Sequence, residues 1–156
     1  MADSLRQRIV SAIVTRMALI DGTGDYETDI GERVKDSETN WAQDQDHLPA
    51  ISVFDGDAAA TPTSTGKSLN TFHAMPVLIR YYVRQGTTAA AARKGIQDIK
   101  TAIRVDDKWT VSNIKLVMKS EEVREAIVRN QETFEVEAAE VEFAVMFQTE
   151  KFNAVE

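Results

Sequence analysis

The chain has 156 residues, a length that fits one domain built around one core. Hydrophobic residues make up 43% and charged ones 28%, the balance of an ordinary soluble globular protein that needs neither metal nor disulfide to fold. With 25 acidic against 18 basic residues the net charge is −7, which disfavours a dedicated grip on a phosphate backbone, and the lack of cysteine excludes disulfides, thiolate metal sites and cysteine nucleophiles.

Residues 4–20, SLRQRIVSAIVTRMALI, are expected to form an amphipathic helix. Leu5, Ile9, Ile13, Met17 and Ile20 fall on one stripe, widened by Val10 and Val14. Asp3 or Ser4 can cap it, and DGTGD at 21–25 stops it with two glycines. Residues 25–48 are polar and irregular, with Tyr26, Ile30, Val34 and Trp41 as anchors. LPAISVF at 48–54 reads as a strand that opens on a proline, where a strand tolerates one.

A glycine, alanine, threonine and serine stretch at about 56–70 follows, expected to be a flexible loop. From Phe72 to Gln85 an extended pattern resumes, with Val77, Ile79, Tyr81 and Val83 on one face and Leu78, Arg80, Tyr82 and Arg84 on the other. A second helix is expected over 87–105, with Ala92, Ile96, Ile99 and Ile103 inward and Gly95 marking a close backbone approach. NIKLVMKS at 113–120 reads as a half-buried strand with Ile114, Leu116 and Met118 on one face. EEVREAIVRN fits either a helical turn or a strand running into solvent. The last segment, 133–149, is the clearest strand, and a phase shift at Ala138–Ala139 predicts a bulge there. The sum is an α+β domain: a mostly antiparallel sheet of four or more strands, with two main helices packed on it.

Candidate chemistry is sparse. Gly66-Lys67-Ser68 has the closing triplet of a phosphate loop, but Thr61 stands where the first glycine belongs and Pro62 removes a backbone donor. The segment after it reads as strand, so no helix N-terminus would face an anion. Asp44, Asp46 and His47 could hold a divalent ion, though a solvated loop is the plainer reading. His73 reads as a half-buried sheet residue, and the alternating Glu135, Glu137, Glu140 and Glu142 as the wet face of a sheet. Trp41, Trp109, Tyr81 and Tyr82 are expected to serve packing. No catalytic residue, cofactor or metal is expected.

YETDIGERV, Trp41, LPAISVFDGD, a polar loop, MPVLIRYYV, a helix of small residues and AEVEFAVMFQTEKFN occur in an order and spacing that resembles the tail terminator (tail completion) proteins of long-tailed, lambda-type bacteriophages. The resemblance runs from the first helix to Phe152-Asn153, and the 56–70 loop lies outside it. It implies a small α+β subunit of the virion that closes into a homohexameric ring on the head-proximal end of the tail tube. The ring stops tube polymerisation and docks the head connector or stopper. DNA passes through it without specific binding, and no membrane or reaction is involved.

A head-to-tail contact must close into a ring or grow without limit, and a sheet edge is a natural place for one. The expected edge is the last strand and the tail after it, with Glu140, Glu142, Gln148 and Phe152 as interface residues. The loop, through Asp57, Thr63, Gly66, Lys67 and Ser68, is the expected mobile contact. The alternatives are a neck or head–tail connector protein and, less favoured, a nucleotide-binding protein using Gly66-Lys67-Ser68.

Overall fold

Helix α1 (Leu5–Met17) forms where the apolar stripe begins, and Ser4 caps it by accepting a hydrogen bond from the Gln7 N–H. Ile9, Val10, Ile13, Met17 and Ile20 are all buried, as their spacing predicts. The helix ends at Met17, a turn before the expected stop, and Gly22 and Gly24 then take positive φ. The structure is a computed structural model that describes residues 4–41, 45–61 and 70–150.

The strands are β1 (Val34–Asp36), β2 (Ala50–Asp55), β3 (Ala59–Thr61), β4 (Asn70–Tyr82), β5 (Thr110–Val111), β6 (Ile114–Lys115), β7 (Lys119–Arg129) and β8 (Val136–Glu150). The main sheet runs β1-β2-β4-β8-β7, with β3 paired to the start of β4. Only the β1–β2 pair is parallel; β5 and β6 form a separate hairpin. The architecture is α+β with a largely antiparallel sheet, the predicted class.

Helix α2 (Ala89–Val105) is capped by the Thr88 hydroxyl, which accepts from the Ala91 N–H. Ala92, Ile96 and Ile99 face the sheet, and Ile103 is half-buried at the margin. Gly95 lies against the Tyr81 ring, and a Cβ there would collide with it. That is the close approach the glycine signalled. Asp98, buried on the same helix, accepts hydrogen bonds from the Glu27 and Thr28 N–H groups and so pins the 25–28 segment.

Both helices lie on one face of the sheet. There Met75, Val77, Ile79 and Tyr81 of β4 join Ala139, Val141, Phe143, Val145 and Phe147 of β8 in a single core. Trp109 closes that core by stacking on Phe143, with ring centres 5.8 Å apart, and its indole N–H donates to Ser120 Oγ.

Three expectations are corrected. The strand predicted over 113–120 is broken: the N–H groups of both Leu116 and Val117 donate to the Lys108 carbonyl, so neither can join a ladder. Leu116 and Val117 are buried as neighbours, while Ile114 and Met118, predicted to share the inner face with Leu116, are exposed. Second, the bulge expected at Ala138–Ala139 falls one residue earlier. The β4–β8 register is unbroken, but against β7 it skips Glu137, and a second irregularity falls at Val123. Third, β8 is not an edge strand. From Ala138 to Met146 it is paired on both sides, because β4 and β7 flank it; its last four residues lack a partner on the β7 side. The long edge is β7, the segment whose sequence fitted helix and strand equally well.

Candidate interaction surfaces

Strand alternation that buries one row of side chains must present the other row to the opposite face. On that outer face β4 offers Ala74, Pro76, Leu78, Arg80 and Tyr82, and β8 offers Ala138, Glu140, Glu142, Ala144 and Met146. A small cluster of Trp41, Leu48, Ala50 and Tyr82 covers one end, clipped by the Trp41 indole N–H donating to Ser52 Oγ at 2.9 Å. Beyond it Phe54, Leu78, Ala144 and Met146 are only half-buried, and no described element packs on them.

Between these two regions lies a chain of charges across three strands. Glu140 Oε1 is 3.3 Å from Arg80 Nη1, and its Oε2 is 3.1 Å from Arg124 Nη2. Arg124 Nε then reaches Glu142 Oε1 at 3.3 Å. Hydrogen bonding to Glu140 raises the Arg124 pKa, and the charges of Glu140 and Glu142 add to it. Arg80 also lies over the Tyr82 ring, and its Nε has no hydrogen-bond partner among the described residues. Glu140, predicted to be on a wet face, is in fact buried beneath its two arginines. Glu142 is half-buried beside it, and Gln148 is exposed near the end of β8.

The remaining predicted positions scatter. Asp57 is exposed after β2, whereas Thr63, Gly66, Lys67, Ser68 and Phe152 lie outside the described residues. The segment that follows the triplet is strand β4, as expected, and not a helix. His47 is exposed in a short 3-10 turn, and Asp44 lies outside the described residues. Among the described residues no group of three His, Asp or Glu side chains could hold a metal ion, and no helix is long and apolar enough to cross a membrane. His73 is buried more fully than expected, its ring stacked on Phe147 at 5.1 Å.

Two features at opposite ends of β7 escaped the sequence reading. One is the turn from β7 to β8. The Asn130 side chain accepts from the N–H groups of Glu132 and Thr133, the Asn130 carbonyl accepts from the Phe134 N–H, and Arg129 Nη1 donates to the Phe134 carbonyl. This holds Phe134 at φ +59° with 70% of its surface exposed. A left-handed conformation costs a non-glycine residue ~1–2 kcal/mol, so the turn carries an unfavourable residue that solvent does not reward. The only signal in the sequence is the alternation of Phe134, Val136 and Ala138 with glutamates, which puts Phe134 on the same side as the buried Val136.

The other is a cleft between the outer side of α1 and the β5–β6 hairpin, with Trp109 and Leu116 beneath, Leu19 and Val111 at the sides and Arg8 and Arg16 on the rim. Arg16 reaches Asp106 at 3.5 Å. Burial pushes the Asp106 carboxyl up, but hydrogen bonds from the Thr110 and Lys108 N–H groups outweigh it and hold the pKa below the usual range. Arg8 makes no ion pair among the described residues. Neither a scan against protein-family models nor a search of curated proteins returned a match for this chain.

Proposed function

We propose that the chain is a structural subunit, not an enzyme: a tail terminator of a long-tailed bacteriophage. Copies of it form a ring at the head-proximal end of the tail tube. The ring halts tube growth, presents a docking surface to the head connector and lets DNA pass without specific contact. The partners are other copies of the chain, the tube protein and the connector, and the place of action is the virion tail.

Two lines support this reading. The ordered fragments that resemble the tail terminators run through both helices and the main strands, and the fold is of the class that resemblance implies. The observation that carries it is the asymmetry of the sheet. Helices cover one face, while Phe54, Leu78, Ala144 and Met146 on the other remain half-exposed around a neutral chain of charges. Apolar area left in water forgoes roughly 25 cal/mol per Å², and a ring or a tube end seated on that face would recover it.

The test is to image particles assembled without the protein. Tails should be of irregular, excessive length and lack heads. Tails of normal length, joined to heads, reject the proposal.

A further inference from the structure

We infer that copies of this chain join head to tail through a knob and a socket: Phe134 of one copy enters the α1–hairpin cleft of the next. The inference rests on the self-assembly in the preceding proposal and names the contact that makes it.

The two parts match in shape. Phe134 is the most exposed of the large apolar side chains among the described residues. The turn that carries it is held by six hydrogen bonds to or from Asn130 and Arg129, so the ring is presented ready-made. The cleft measures about 310 Å³. A dry cavity of about 150 Å³ already admits benzene, so a phenyl ring fits with room for its turn. The floor of Trp109 and Leu116 offers an aromatic and an aliphatic surface.

They also match in charge. Glu132 and Glu135 flank Phe134, are exposed and make no ion pair among the described residues. On the rim of the cleft stand Arg8, which has no ion-pair partner among the described residues, and Arg16, which also reaches Asp106. An acidic knob and a basic-rimmed socket on a chain of net charge −7 attract each other where most other pairings of its surface would repel.

Their placement dictates the geometry. The turn follows the last residue of β7, and the cleft lies beside its start, where Ser120 bonds Trp109. Eleven strand residues separate the two by roughly 35 Å at about 3.3 Å each. One copy cannot fill its own socket, and every copy keeps a free knob and a free socket. Such a heterologous contact closes into a ring when the rotation per copy permits it.

The experiment uses the full chain in sedimentation velocity and light scattering across concentration. Phe134→Glu removes the knob, and Arg8→Glu with Thr15→Glu spoils the socket; all three positions are exposed, and circular dichroism confirms that the variants fold. Wild type should self-associate, and each variant alone should need at least about tenfold higher concentration to do so. Mixed in equal amounts, the two variants retain one intact knob and one intact socket, so they should form a dimer and nothing larger. Wild-type assembly that persists unchanged in Phe134→Glu overturns this contact while leaving the ring proposal standing. A mixture that stays monomeric, or a wild type that never associates, overturns it as well. The ring proposal itself is decided separately, by tail length in particles lacking the protein.

Discussion

On the helix-covered face of the sheet, Val77, Ile79, Val141, Phe143 and Val145 are fully buried and belong to one apolar cluster. On the other face the residues between them are Leu78, Arg80, Glu142 and Ala144, partly exposed, and Glu140, buried by the ion pairs that cross this face. The same two strands, β4 and β8, therefore hold a core on one side and a solvent-facing mosaic on the other. Stability comes from the first, because burial scales with apolar area removed from water. The second buries less apolar area and contributes less to the lone subunit. Each face has its own tryptophan clip: Trp109 to Ser120 inside, Trp41 to Ser52 outside, both at 2.9 Å. Only the inner clip is continuous with the main core.

Substitutions on the two faces should differ in cost. The largest effect is expected at Phe143→Ala, which opens a cavity under Trp109 and should cost about 3–5 kcal/mol in urea unfolding. Met146→Ala, three residues on but facing outward, should cost well under half of that. Equal costs would erase the distinction between the faces.

Alkaline titration is next in size. Burial, reinforced by the charges of Asp29 and Asp98, pushes the Tyr81 phenol up from 10.0 to about 12. The folded state thus holds this proton more tightly than the unfolded chain. The stabilisation is complete below pH 10 and is lost as pH rises through about 12, a difference on the order of 3 kcal/mol. Unfolding free energies measured between these limits should fall with pH, and Tyr81→Phe should flatten the fall by about one proton; an unchanged slope would refute the assignment.

Glu140→Gln comes third. It keeps the shape of the outer charge chain but withdraws the charge shared by Arg80 and Arg124, and should cost about 2 kcal/mol. A loss below a few tenths would mean that the chain is solvated like any surface pair. The smallest effect has the opposite sign. Phe134→Asn puts a residue that tolerates positive φ at +59° and should stabilise the monomer by about 1 kcal/mol while abolishing self-association. A variant both less stable and still assembling would remove the reason for a phenylalanine there.

Much of the fold was legible because local periodicity carries it. The stripe of α1, the inward set of α2, the two faces of β4 and the meaning of Gly95 all follow from spacings of two or of three and four. What was missed depended on partners far away in the chain. β1 has three residues and exists because β2 is beside it in parallel. The 113–120 strand failed because the Lys108 carbonyl captured two of its amides. Glu140 looked like a wet glutamate until two arginines from neighbouring strands enclosed it. Of the predicted interface residues, Glu140 and Glu142 do lie on the uncovered face, but for a different reason than an exposed strand edge.

The order of apolar and polar side chains was enough, by itself, to determine the two helices, the strands β2, β4 and β8 and the α+β class. Such features need only neighbours within a turn or a strand. Strand order, the burial of Glu140, the edge position of β7 and the separation of the Phe134 turn from the Trp109 cleft were decided by tertiary structure alone. Each of these depends on which distant segments pair, and pairing is chosen by the whole core at once.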